Sequence, residues 1–225
     1  MIPSRSPSVV PFRIPFGVGE AGDCLPGCVV FYDLRDGGAS AVDLSGSGYN
    51  GSFVGTSLVA GPVSGVVRRF ALGNGIVCYP HIGKFNHTLE FWAKPAVGTL
   101  FYMFDSQVGR VIPEVTVDGT PAYYDLLGGV SDFDTCSVDD DTWVHLVWVC
   151  RAGVSTTVYQ FGIPHAGTLA SGAVGINGQC RVGSSYDGLT GKFVGDLSIF
   201  RLYDRALSAA EVSWLYNQSA VWHGY

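Results

Sequence analysis

From Val29 onward the chain is a succession of short apolar or alternating runs, each closed by a glycine-bearing turn, and this rhythm constrains the fold more than any other feature. Runs so short make poor helices but bury well as strands. The sequence holds 31 glycines against four glutamates and three lysines, an inventory short of helix formers and rich in turn formers. Strands are predicted over 29–33, 52–54, 66–72, 75–79, 88–94, 99–105, 111–117, 122–127, 142–150, 156–161, 179–183 and 191–203.

In the run from Trp143 to Cys150, strict alternation puts Trp143, His145, Val147 and Val149 on one face and Val144, Leu146, Trp148 and Cys150 on the other. Both faces are largely apolar, so this strand is expected between two layers. His145 is then a satisfied core histidine rather than a ligand or base. His81 and His87 flank a Gly-Lys-Phe segment and read as loop residues. One short C-terminal helix is expected, because Ser208-Ala209-Ala210-Glu211 forms a capping box ahead of an apolar stripe of Val212, Leu215 and Tyr216.

A formal charge of −6 without a basic run argues against nucleic-acid binding, which depends on clustered Lys and Arg. No stretch reaches the roughly 18 to 20 apolar residues needed to cross a bilayer as a helix. Residues 1–23 form an extended arm in which Pro3, Pro7, Pro11 and Pro15 interrupt any helix and any signal-peptide core. Such an arm orders itself on a neighbour, so Val9, Val10, Phe12, Ile14 and Phe16 are the expected assembly residues, and residues 24–225 the folded domain.

Six cysteines allow many pairings. Cys24 and Cys28, around Pro26-Gly27, could close a small disulfide loop or supply half of a metal site, whereas Cys78, Cys136, Cys150 and Cys180 read as buried thiols.

Several blocks resemble one family when taken in order. They are Asp43-Leu44-Ser45-Gly46 with Tyr49-Asn50-Gly51; Gly65, Phe70 and Val77; Thr88 to Pro95; Trp143 to Val147; Tyr159 to Gly162; Phe193 to Leu197; Arg201 to Ser208; and Glu211-Val212 with Leu215-Tyr216. From about Val29 to Gln218 the chain resembles the laminin G-like branch of the concanavalin A-like lectin/glucanase superfamily. The resemblance implies an all-β jelly-roll sandwich of two antiparallel sheets. It also implies a possible calcium site, for which Asp43, Asn50 and Asp196 are the matching positions, although Ser198 and Phe161 stand where the family carries acidic residues.

Glucanase members use two carboxylates close in sequence, and Glu20, Glu90, Glu114 and Glu211 stand far apart, so no catalytic residues are expected. Sugar binding in such a fold uses exposed aromatics, for which Tyr102, Tyr123, Tyr124 and Tyr186 are the candidates. Tyr123 and Tyr124, being adjacent on a strand, point opposite ways, so at least one belongs to the core. The arm tips the expectation toward a non-enzymatic, oligomeric subunit of a larger assembly. A viral or phage virion surface protein, of decoration or fibre type, fits best, with a sandwich that contacts glycans. The alternative is a stand-alone carbohydrate-binding lectin module acting outside the cell.

Overall fold

The computed structural model describes residues 24–83, 85–96, 101–125, 129–133, 135–167 and 175–225. The expected assembly residues Val9, Val10, Phe12, Ile14 and Phe16 lie outside them.

Sixteen strands and one helix are described. The largest sheet runs in the order β14 (Ile163–Ala166), β13 (Ser155–Gln160), β12 (Val144–Arg151), β6 (His87–Pro95), β16 (Gly195–Tyr203), β4 (Val66–Phe70) and β3 (Ser57–Ala60). Strand β1 (Cys28–Asp33) joins this sheet beside β16. One edge of β16 therefore serves two partners: Gly195 to Leu197 pair with β4, and Ile199 to Tyr203 pair with β1. Two smaller antiparallel sheets lie across the core, in the orders β2 (Ser52–Val54), β5 (Gly75–Cys78), β15 (Asn177–Val182), β8 (Phe104–Val108) and β11 (Gly129–Asp132), β10 (Pro121–Asp125), β9 (Ile112–Val115), β7 (Phe101–Tyr102). This is the expected sandwich of antiparallel sheets.

The core between the layers is filled by alternate residues of the long strands. Leu89, Phe91, Leu146, Trp148, Phe200 and Leu202 come from the large sheet, and Ile76, Val182, Phe104, Val115 and Tyr123 from the smaller ones. Each fully buried side chain of this kind contributes about 1.5–3 kcal/mol. The other face of the large sheet presents Thr88, Glu90, Trp92, His145, Val147, Ile199, Arg201 and Tyr203, which are also buried. Helix α1 (Ala209–His223) supplies the cover, with Val212 and Leu215 against Val147 and Tyr203.

The expected short C-terminal helix is present with 15 residues, and its buried stripe continues past Leu215 through Ser219, Ala220 and His223. His87 is not a loop residue; it opens β6, is fully buried, and bonds through Nε2 to the Tyr123 hydroxyl at 2.9 Å and through Nδ1 to the Phe85 carbonyl at 3.0 Å. The run 99–105 is interrupted at Met103, whose N–H donates to the Pro113 carbonyl and whose own carbonyl accepts from Gly183. There the chain passes from one small sheet to the other. Strands β3, β11 and β14 were not anticipated. β3 and β14 are largely exposed edge strands, so neither carries the apolar pattern by which strands are recognised.

Candidate functional site

Register fixes which residues share the outer face of the smaller sheets. Tyr102 stands opposite Glu114 on β9, while Asp105 stands opposite Arg181 on β15. Their strand neighbours Phe101, Val115, Phe104 and Val182 point into the core. Tyr102, Glu114, Arg181 and Tyr124 are half-buried, so this face is partly open to solvent.

Two turns furnish its centre. Between β8 and β9 the chain reverses through Gly109 and Arg110, both at positive φ (91° and 45°). A non-glycine residue in that region costs on the order of 1 kcal/mol and persists only where other contacts hold it. The Arg110 Nε lies 3.2 Å from Asp105 Oδ1, and the guanidinium sits 5.2 Å from the centre of the Tyr186 ring. The second turn is Ser184 to Gly191. Ser185 Oγ donates to Asp187 Oδ1 at 2.6 Å and accepts from the Thr190 N–H, and Asp187 accepts from the Leu189 N–H. Tyr186 is held at both ends of its backbone: its N–H donates to Asp105 Oδ2 at 3.1 Å and its carbonyl accepts from Gln179 Nε2 at 2.7 Å.

Gly191 seats this loop against Tyr102. A Cβ there would fall 2.3 Å from the Tyr102 ring, and the Tyr102 N–H donates to the Gly191 carbonyl at 2.8 Å. Beyond Glu114 the same face runs to the β9–β10 turn. There Glu114, Thr116, Val117 and Asp118 line a shallow depression, and a cleft of about 230 Å³ opens between Thr116, Asp118, Phe101 and Asp139.

The electrostatics are those of a polar surface built around a buried charge. Burial pushes the Asp105 carboxyl up to about 6, against the lowering effect of the Tyr186 amide and Arg110. Burial, then the neighbouring Glu114 and Asp105, raise the Tyr102 hydroxyl. The Ser185 hydroxyl and the Leu189 amide hold Asp187 below the usual carboxylate range.

Of the four candidate tyrosines, Tyr102 and Tyr186 are brought together on this face. Tyr124 is half-buried on β10, and Tyr123 points into the core against His87. Asp105, Arg110 and Asp187 were not anticipated. The available signals were the Gly109-Arg110 pair between two strands and the turn-forming Ser-Ser-Tyr-Asp-Gly string at 184–188.

The expected calcium positions are not gathered into one group. Asp43 Oδ1 accepts the N–H groups of Phe31 and Ser45, both at 3.0 Å, and its Oδ2 accepts that of Tyr49 at 2.9 Å. The Asp43 N–H in turn donates to Asn50 Oδ1 at 2.8 Å. Asp196 lies on β16 in a two-pronged pair with Arg69, at 2.8 and 2.9 Å. Among the described residues, no group of three or more His, Cys, Asp or Glu side chains is placed to hold a metal ion. No described helix is long and apolar enough to cross a membrane.

A laminin G-type family model, described as belonging to the concanavalin A-like lectin/glucanases superfamily, matches residues 77–213. A search of curated protein sequences gives no match. Among solved structures, the chain is similar to domain 4 of AbnA, an extracellular arabinanase from Geobacillus stearothermophilus, in complex with arabinotriose. The TM-score is 0.65 at 19% identity, over 84% of this chain and 98% of that one. It is also similar to the binding domain of Paraclostridial Mosquitocidal Protein 1, with a TM-score of 0.63 at 18% identity, over 85% of this chain and 52% of that one. Trypanosoma rangeli sialidase gives a TM-score of 0.64 at 15% identity, and there the chain spans 36% of the sialidase.

Proposed function

The chain belongs to the concanavalin A-like lectin/glucanases superfamily, and from that premise we propose that it is a carbohydrate-binding module whose site is the outer face around Tyr102, Arg110, Glu114 and Tyr186. The observation that carries the reading is a half-buried Tyr102 opposite Glu114, beside a loop seated on it by Gly191 in which the half-buried Tyr186 ring meets the Arg110 guanidinium. Aromatic rings receive the C–H faces of sugars, while carboxylates and guanidinium groups bond their hydroxyls. The structural likeness to an arabinanase domain seen with arabinotriose supports the same reading.

Binding is favoured over hydrolysis by the placement of Asp105. Its raised pKa would suit a general acid, but its side chain is fully buried and turned to Arg110 and the Tyr186 amide rather than outward. A glycan-binding role implies action outside the cell. Incorporation into a virion surface, suggested by residues 1–23, is a finer proposal that concerns residues outside the described ones.

A glycan array followed by calorimetry on the best oligosaccharide, with arabino-oligosaccharides included, tests the proposal. The expected result is saturable binding that falls at least tenfold in Tyr102→Ala, with little change in melting temperature, and in Arg110→Ala, which also lowers stability by removing the partner of the buried Asp105. Binding untouched by both substitutions, or release of reducing ends from the bound glycan, would overturn it.

A further inference from the structure

The sulfurs of Cys24 and Cys28 lie 2.9 Å apart. Non-bonded heavy atoms settle at about 3.5–4.0 Å, and a disulfide bond is about 2.05 Å long, so closure requires a movement of about 0.9 Å. The connecting turn is already formed. Gly27 takes the positive φ of 85° that the reversal demands, and the Cys28 N–H donates to the Leu25 carbonyl. The turn is also pinned from outside: Arg205 Nε donates to the Pro26 carbonyl at 2.6 Å, and the Asp204 N–H donates to the Gly27 carbonyl at 2.9 Å.

The two thiols differ from each other and from the rest. Hydrogen bonding with Cys28 and the charge of Arg201 lower Cys24 against the effect of burial, whereas the same hydrogen bond and burial raise Cys28. Both residues are half-buried, while Cys78, Cys136, Cys150 and Cys180 are buried. Burial pushes Cys136 up to about 11 and both Cys78 and Cys150 up to about 12. Thiol–disulfide exchange begins from the accessible thiolate, which places the first step on Cys24.

We infer that Cys24 and Cys28 form a redox-active pair that closes to a disulfide by exchange with a small disulfide of the glutathione class. Cys24 loses its proton to solvent, and its sulfur attacks the oxidant. A Cys24–glutathione bond forms, the oxidant's S–S bond breaks, and one glutathione leaves as thiolate and takes a proton. Cys28 then loses its proton and attacks the Cys24 sulfur, so that the Cys24–Cys28 bond forms and the second glutathione leaves as thiol. Two electrons pass from the protein dithiol to the oxidant. The product ties the first residue of β1 to the turn before it.

Oxidation of the full chain in glutathione buffers, followed by trypsin and mass spectrometry, tests the pair. Cleavage at Arg13 and Arg35 leaves both cysteines in one peptide. The expected result is that this peptide becomes two hydrogens lighter, reversibly with dithiothreitol, while the other four cysteines stay reduced. Cys28→Ser should stop at a glutathione adduct on Cys24, and Cys24→Ser should leave Cys28 unmodified. A wild-type peptide that stays reduced, or that keeps glutathione without closing, would overturn the inference. Should either variant fail to fold, the wild-type alkylation rates decide: Cys24 must react first, and equal rates for all six thiols count against the pair.

Discussion

The imidazole of His223 lies flat on the indole of Trp92, with ring centres 3.7 Å apart and planes 1° from parallel. Nδ1 meets the Ser219 carbonyl at 2.8 Å and Nε2 meets the Ser198 hydroxyl at 2.6 Å, while the Trp92 N–H donates to Ser219 Oγ at 2.6 Å. A neutral ring that donates from Nδ1 and accepts at Nε2 satisfies both partners; an added proton would require the Ser198 hydroxyl to turn and accept, and would charge a buried ring.

Acid should therefore destabilise the fold through its histidines. Burial drives His223 down to about 3 and His87 down to about 4. Both values lie below the usual 6.5, so the unfolded chain takes up these protons first. Their contribution is fully present above about pH 6.5 and is lost as pH falls toward 4 and 3, at about 1.4 kcal/mol per pH unit for each histidine. Urea unfolding at pH 7, 6 and 5 should show this slope, and His223→Gln should remove about half of it. A flat profile would count against neutral buried rings.

The ion pair beneath the helix gives a second test. Arg201 Nη1 lies 2.8 and 2.9 Å from the two oxygens of Glu90, and His145 Nε2 lies 3.2 Å from one of them, all buried. Burial would raise Glu90, but Arg201 and His145 together more than offset this and hold it below the usual range. Arg201→Met should cost about 3–5 kcal/mol by stranding a buried carboxylate. Adding Glu90→Leu should restore most of that loss in equilibrium unfolding.

Two tyrosines should separate binding from stability. Tyr123→Phe removes the hydroxyl from His87 and should cost about 1 kcal/mol without altering glycan affinity. Tyr102→Ala should do the reverse. Melting curves and calorimetry on the same two proteins measure both effects.

The Asp43 turn should behave as a structure rather than as a metal site. Its oxygens already serve three backbone amides, so Asp43→Ala should cost about 2–4 kcal/mol. Millimolar calcium or a chelator should leave the melting temperature of the wild type unchanged; a rise of several degrees with calcium would assign the ion there.

The long core strands, the buried double-faced β12 and the helix cap were legible because each leaves a periodic or positional mark. The bulge at Ser198 was not, because an inserted residue in an otherwise apolar strand looks like continued alternation; in the structure it aims the hydroxyl at His223. The burial of the last turn of α1 was hidden for a related reason, since it carries Ser219 and His223, polar residues that become core only once Trp92 and Ser198 supply their partners. The candidate site was half legible. Tyr102 and Tyr186 stand out as aromatics, but the contact of Tyr186 with Asp105 and Arg110 depends on two turns far apart in sequence coming together.

Strand β16 is the member that the large sheet cannot do without, because β1, β4 and β6 all pair with it. Cys28 finds its partner in Tyr203, so the first of the described strands to be synthesised waits for the last of them. Until then β1, and the edge of β4 away from β3, travel with unpaired backbone groups. Long-range closure of this kind is slow and exposes edges that invite pairing between chains. Production of the protein should therefore depend on chaperone supply and on translation speed, and truncation before Gly195 should yield aggregates rather than a smaller domain.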